Sequence, residues 1–271
     1  MSADPIVASR DAALPRALVR PVDPAVPSNP VTLALKLALL PVLVAQGRRV
    51  RAQALRLPEA SGERSGTVGA GHVALRVLIV GDSSAAGVGV ATQDEALSGQ
   101  LAQALSERSG AAVGWQLVAT SGHTVRDACD ALREAELAPA DLLVTAVGVN
   151  DVVGQTSPAR FLRALDELHA LAVARAGVTH AWHCGVPKMG EFPLLPAPLR
   201  WVLGRDAAHL DGALARHLAG NSKRLHLPLP STPQSLESDS AMPSGWMARD
   251  GFHPGPLGYR NWGRQVAEAI G

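Results

Sequence analysis

The chain has 271 residues, enough for one or two domains, and its 47% hydrophobic against 18% charged content excludes a globally disordered polypeptide. Its 25 Lys and Arg balance 24 Asp and Glu, which argues against a dedicated nucleic-acid binder. The two cysteines, Cys129 and Cys184, form no CxxC, so a disulfide scaffold and a Cys-based zinc site are excluded as well.

Residues 1–30 are proline-rich and aperiodic and read as an irregular arm. From Val31 to Gln46 the chain is apolar, interrupted by Lys36 and Pro41 and followed by Arg48, Arg49 and Arg51. This run is too short and too charged for a membrane span, and no small-x-small cleavage site follows it. A helix packed on the domain surface is the first reading, ahead of a peripheral membrane anchor and an uncleaved signal-anchor. A cytoplasmic location accordingly comes first, with membrane association or export beside it. Residues 57–72 are turn-rich and read as a connection. The expected organisation is an N-terminal arm with an apolar helix over 1–72 and a catalytic-size domain over 73–271.

From residue 73 strands and helices alternate. Val73–Val80 has the continuous apolar end of a strand buried on both faces. Asp94–Arg108 places Leu97, Leu101 and Leu105 on one helical face. Strands are then expected at Trp115–Ala119, Asp141–Val147, Thr179–Cys184 and, more weakly, Leu225–Leu229. Helices are expected at Val125–Leu137, Pro158–Arg175 and about Gly258–Ile270. The alternation predicts a mostly parallel five-stranded sheet covered by helices on both faces, with ligands outside the carboxyl ends of the strands.

Three strand ends and one C-terminal loop carry the candidate chemistry. Gly81-Asp-Ser-Ser-Ala-Ala-Gly-Val-Gly89 follows the first strand, and Ser83 there reads as a nucleophile, as part of a phosphate-cradling loop, or as an ordinary turn residue. Gly122 after the second strand offers a bare backbone N–H, and Asn150 in Gly148-Val-Asn-Asp151 offers a side-chain amide. Asp250 and His253, spaced around Gly251, suit a carboxylate that fixes an imidazole tautomer. GxSxG, GxxxxGK, GxGxxG and HExxH do not occur, which removes the α/β-hydrolase elbow, the Walker A loop, the Rossmann fingerprint and the zincin helix.

Taken in order, Gly81-Asp82-Ser83, Gly122, Gly148-Val149-Asn150-Asp151 and Asp250-Gly-Phe-His253 resemble the four blocks of the SGNH-hydrolase superfamily, the GDSL esterases and lipases. The resemblance covers roughly residues 75–265. It implies a flavodoxin-like three-layer α/β/α fold and a serine carboxylic-ester hydrolase with no metal or organic cofactor. In that scheme Ser83 is the nucleophile, His253 its base and Asp250 the orienting acid. The N–H groups of Ser83 and Gly122 and the Asn150 amide form the oxyanion hole. Ser84 reads as a turn residue. An acyltransferase moving an acetyl group to a sugar is the alternative, and a non-catalytic flavodoxin-like phosphate or flavin binder ranks below both.

Around the site, the proline-rich apolar stretch Gly185–Leu203, with Phe192, reads either as a wall for the acyl or alcohol group or as cover for the sheet. Asp151, Phe192 and Trp246 are the expected substrate contacts. The expected partner is a small-molecule ester, with a peripheral membrane contact through residues 31–46 as the second reading of that segment and no nucleic acid.

Overall fold

The computed structural model describes residues 30–230 and 243–271; the expected irregular arm over 1–30 lies almost wholly outside them. Strands β1 (Ser65–Val68), β2 (Val73–Gly81), β3 (Ala112–Ala119), β4 (Leu142–Ala146), β5 (His180–Cys184) and β6 (Arg224–Leu227) form one sheet. The helices are α1 (Pro30–Gln53), α2 (Leu97–Ser109), α3 (Val125–Glu134), α4 (Val149–Val153), α5 (Pro158–Ala176), α6 (Leu199–Leu218) and α7 (Pro256–Ile270).

The sheet order is β1-β3-β2-β4-β5-β6. Every neighbouring pair is parallel except β1 on β3. Without β1 this is the flavodoxin-like doubly wound order, and its direction of winding reverses between β2 and β4. The sheet therefore has six strands rather than the five expected, and the stretch 57–72 is more than a connection. Ser65-Gly-Thr-Val68 is short, polar and glycine-containing, which hides a strand from pattern reading but suits a sheet edge.

Successive side chains of a strand point to opposite faces, and β2 shows the consequence. Leu78 and Val80 enter a core with α3, α5 and α6, among them Leu132, Phe161, Leu165 and Leu210. Val77 and Ile79 enter the other core with Leu97, Leu101 and Leu105 of α2 and Tyr259, Trp262 and Val266 of α7. The result is a three-layer α/β/α sandwich. Local signals set several boundaries: a Thr124–Asp127 capping box opens α3, and Gly110 and Gly177, both with positive φ, close α2 and α5.

Several helices differ from expectation, the short α4 among them, and two show why. Helix α6 occupies residues that had no helical reading. Its Gly204 approaches Gly190 so closely that a Cβ would lie 2.7 Å from the Gly190 Cα, so tertiary packing, not helix propensity, explains that glycine. Helix α2 starts at Leu97 instead of Asp94 because buried Gln93 serves the preceding loop. Its Nε2 donates to the carbonyls of Ala60 and Ala86, and its Oε1 accepts from the Ser98 hydroxyl.

Candidate active site

The carboxyl ends of β2, β3 and β4 bring three loops together at the point where the winding reverses. Gly81 pairs with both Ala119 and Ala146, so Ser83, the 120–124 loop and Gly148–Asn150 leave the sheet side by side. The Ser83 loop is held by side chains on either side of it. Buried Asp82 accepts from the Ser84 amide at 2.9 Å and the Ser84 hydroxyl at 2.8 Å, and the buried Tyr259 hydroxyl of α7 donates to the Val88 carbonyl at 2.8 Å. Burial pushes the Asp82 carboxyl up, against the pull of the Ser84 hydrogen bonds and the His253 charge.

His253 arrives on a separate tight loop. Met247 and Pro254 form an antiparallel bridge, and the Ala248 amide donates to the His253 carbonyl at 2.9 Å. At the tip, Gly251 has φ +66°, and its amide donates to the Ala248 carbonyl at 3.0 Å. This conformation favours glycine, and it turns the chain so that Asp250 faces back onto His253. Gly89 (φ +109°) lets the two loops touch: a Cβ there would lie 2.4 Å from the Pro254 carbonyl oxygen.

The structure brings Ser83, His253 and Asp250 into one hydrogen-bonded chain. His253 Nε2 lies 2.8 Å from Ser83 Oγ, and His253 Nδ1 lies 2.6 Å from Asp250 Oδ2. The second oxygen, Asp250 Oδ1, accepts from the amides of Phe252 at 3.0 Å and His253 at 3.1 Å. Asp250 is buried, which acts to raise its pKa. The Phe252 amide and the His253 imidazole and amide outweigh burial and hold the carboxyl below its ordinary value. An ionised acid thus fixes the imidazole with Nε2 toward the serine, the arrangement a general base requires.

The Ser83 and Gly122 N–H groups have no acceptor among the described residues. Gly122 has φ +89° and does not line the cavity. Asn150 does line it, and its Nδ2 donates one hydrogen to the His123 carbonyl at 3.0 Å. That bond ties α4 to the 120–124 loop, and an amide nitrogen carries a second hydrogen.

Ser83 and His253 open into a mostly apolar cavity of about 960 Å³. Phe192 and Trp246, both expected substrate contacts, line it. Phe192 meets Phe252 edge-on at 5.9 Å between centroids. The stretch Gly185–Leu203 divides its work: Val186 and Leu195 face the cavity and also belong to the core. One wall went unforeseen, since Leu37, Leu40 and Val44 of α1 border the same space. Cys129 and Cys184 are free and buried, and burial pushes the Cys184 thiol up to about 12, so it is no nucleophile.

Asp151 is the correction. Its side chain is 1% exposed, does not line the cavity, and turns away to accept from the Val125 amide at 2.9 Å at the start of α3. Its Oδ1 has no partner among the described residues. Burial, aided by the charges of Asp82 and Asp127, raises its pKa from 3.8 to about 6 against the Val125 and Thr156 hydrogen bonds. A carboxyl whose pKa rises on folding binds protons more tightly in the native state. Its contribution to stability therefore falls as pH rises from about 4 to about 6 and stays low above that. Asp151→Asn keeps the shape and removes the charge. We expect it to be more stable than wild type near pH 8 by about 2–3 kcal/mol, with the difference vanishing near pH 4. Urea unfolding at both pH values measures this; equal stability at pH 8 would show that the carboxylate is not penalised.

Comparison with known proteins follows the same loops. The model of the GDSL-like Lipase/Acylhydrolase family matches residues 79–260, from the end of β2 through the His253 loop. The GDSL-like esterase Rv1075c of Mycobacterium tuberculosis (strain ATCC 25618 / H37Rv) is 26% identical over 189 residues, 68% of this chain and 58% of that protein. The match thus spans little more than half the length of that relative. Among solved structures, a member of the lipolytic protein G-D-S-L family from Veillonella parvula DSM 2008 superposes with a TM-score of 0.52 at 14% identity, covering 71% of this chain and 96% of that one. Axe2, an acetylxylan esterase from Geobacillus stearothermophilus, gives 0.51 at 17% identity, covering 73% and 95%. These two likenesses show a shared fold. The family match, which takes in both the serine and the histidine loops, shows more: the chain belongs to the GDSL-like lipase/acylhydrolase family of the SGNH-hydrolase superfamily.

Proposed function

We propose that this protein is a serine carboxylic-ester hydrolase that works through an acyl-enzyme on Ser83. The observation that carries the reading is the continuous Asp250–His253–Ser83 hydrogen-bonded chain at the edge of a largely apolar cavity. Family membership and the esterase name of the curated relative support it. A phosphate- or flavin-binding loop would leave the Asp250–His253–Ser83 hydrogen-bonded chain without a purpose.

His253 Nε2 takes the Ser83 proton as Oγ attacks the ester carbonyl, and Asp250 stabilises the imidazolium that forms. The carbonyl oxygen becomes an oxyanion, for which we assign the Ser83 and Gly122 N–H groups and the second Asn150 Nδ2 hydrogen. The imidazolium then protonates the departing alcohol. Water, deprotonated by the same imidazole, attacks the acyl-enzyme and frees the acid and Ser83. Phe192, Trp246 and the apolar walls would take up the acyl or alcohol part.

The test is hydrolysis of p-nitrophenyl esters of increasing acyl length, with Ser83→Ala as the control. Turnover by the wild type alone supports the reading, and equal turnover by both proteins removes Ser83 from the mechanism. For the oxyanion role, Asn150→Ala should lower kcat by ~10²–10³, about 3–4 kcal/mol of transition-state stabilisation. Because Asn150 also holds the His123 carbonyl, the thermal midpoint is measured alongside. A stable variant with undiminished kcat would take Asn150 out of the hole.

A further inference from the structure

Helix α1 walls the cavity on one side, but the hydrolytic site does not account for the rest of its surface. Three faces can be read from its exposure. Lys36, Leu39, Leu43, Gln46 and Val50, at helical three- and four-residue spacing, are partly buried and dock on the body. Lys36 pairs with Asp206 of α6. Gln46 donates to the Ala197 carbonyl at 2.7 Å and accepts the Leu199 amide at 3.1 Å, so it clasps the start of α6. The second face, Leu37, Leu40 and Val44, borders the catalytic cavity and remains 62%, 51% and 43% exposed. The third face, Leu35, Ala38, Val42, Ala45, Arg49 and Ala52, is exposed at every position, and it carries no polar side chain before Arg49.

A surface helix ordinarily turns charge outward, and one apolar all round needs apolar cover on every side. Water does not supply that cover to Leu35 and Val42, which are 43% and 45% exposed. No helix among the described residues is long and apolar enough to cross a membrane. Charge tells what fits instead. Between Pro30 and Gln53 there is no acidic residue, whereas Arg48, Arg49 and Arg51 are exposed at the C-terminal end and Arg56 follows just beyond it. Arg49 ends the outward apolar face, while Arg48 and Arg51 lie on the cavity side beside it, and an apolar surface with such a basic end matches a bilayer interface with anionic headgroups.

We propose that α1 lies in the plane of an anionic lipid bilayer, with Leu35 and Val42 among the acyl chains and the arginines at the headgroups. The exposed cavity-bordering leucines then face the same bilayer, so an ester held in the lipid reaches Ser83 along α1 without crossing water. The delivery step rests on the hydrolase reading above; the docking itself does not.

The experiment is co-sedimentation of the full chain with vesicles of phosphatidylcholine alone or with phosphatidylglycerol added. It is run for the wild type and for a Leu35→Glu, Val42→Glu, Arg49→Glu variant, whose altered residues do not line the cavity. The wild type should bind the phosphatidylglycerol vesicles and be released by salt. The variant should lose roughly tenfold or more in partitioning while its turnover of a soluble ester is unchanged. If the charged variant does not fold, Leu35→Gln with Val42→Gln serves in its place. Wild type that stays in the supernatant with both vesicles overturns the proposal, as does a variant that binds equally well. A wild-type dimer that the variant breaks, without vesicle binding, would assign the face to a second copy and overturn it too. Vesicle binding without hydrolysis of any ester would uphold the docking and reject the hydrolase reading.

Discussion

Ser83→Ala should fold normally and lose roughly 10⁴–10⁶ in kcat/KM on any ester the wild type hydrolyses. The fold is expected to survive because the serine hydroxyl contributes one hydrogen bond, to a partly exposed histidine, worth about 1 kcal/mol. Activity is expected to collapse because, among the described residues, Ser83 alone has a hydroxyl bonded to His253. Ser84 lies next door and also borders the cavity, but its hydroxyl donates to Asp82 Oδ1, a buried carboxylate that positions the loop, and no hydrogen bond joins it to His253. Ser84→Ala is therefore the informative partner variant and should retain turnover within a few-fold. Initial rates on a p-nitrophenyl ester, with a thermal melt on each protein, separate the two. Loss of activity in Ser84→Ala alone would move the nucleophile by one residue and overturn the proposed Asp250–His253–Ser83 assignment.

The legibility of this chain depended on how local each signal is. Strand β2 was readable because Val77 to Val80 are buried on both faces and therefore continuously apolar. The Asp250–His253 pair was readable because three residues around a glycine span one tight turn. The elements that escaped are those whose reasons lie elsewhere in the fold. Strand β1 is a strand only because β3 offers it an edge. Helix α6 keeps Gly204 because the turn at Gly190 presses on it. Helix α1 borders the Ser83 cavity because Gln46 and Lys36 reach partners on or beside α6, more than 150 residues along the chain. Asp151 shows the converse error. It adjoins Asn150 in the same short motif, yet neighbours on a helix point in different directions, and its carboxylate serves α3 rather than the cavity.

Asp250→Asn should reduce kcat by about 10⁴ with little change in stability, and the reason lies in its two oxygens. Asp250 Oδ1 accepts the Phe252 and His253 amides, a pair of bonds that an asparagine carbonyl can keep. The other oxygen, Oδ2, accepts the His253 Nδ1 proton, and asparagine would place an NH₂ there. Two donors cannot face each other, so the imidazole would shift its proton to Nε2 and accept at Nδ1. His253 would still touch Ser83, but with a proton where a lone pair is needed. Asp250→Ala would lose the same chemistry and also orphan two loop amides, at about 1–3 kcal/mol for each that stays buried. The pair of variants thus distinguishes tautomer control from simple scaffolding. Both should be inactive, but only alanine should lower the unfolding midpoint clearly. If Asp250→Asn turned over at the wild-type rate, another group would have to orient His253, and the carboxylate would be a loop anchor only.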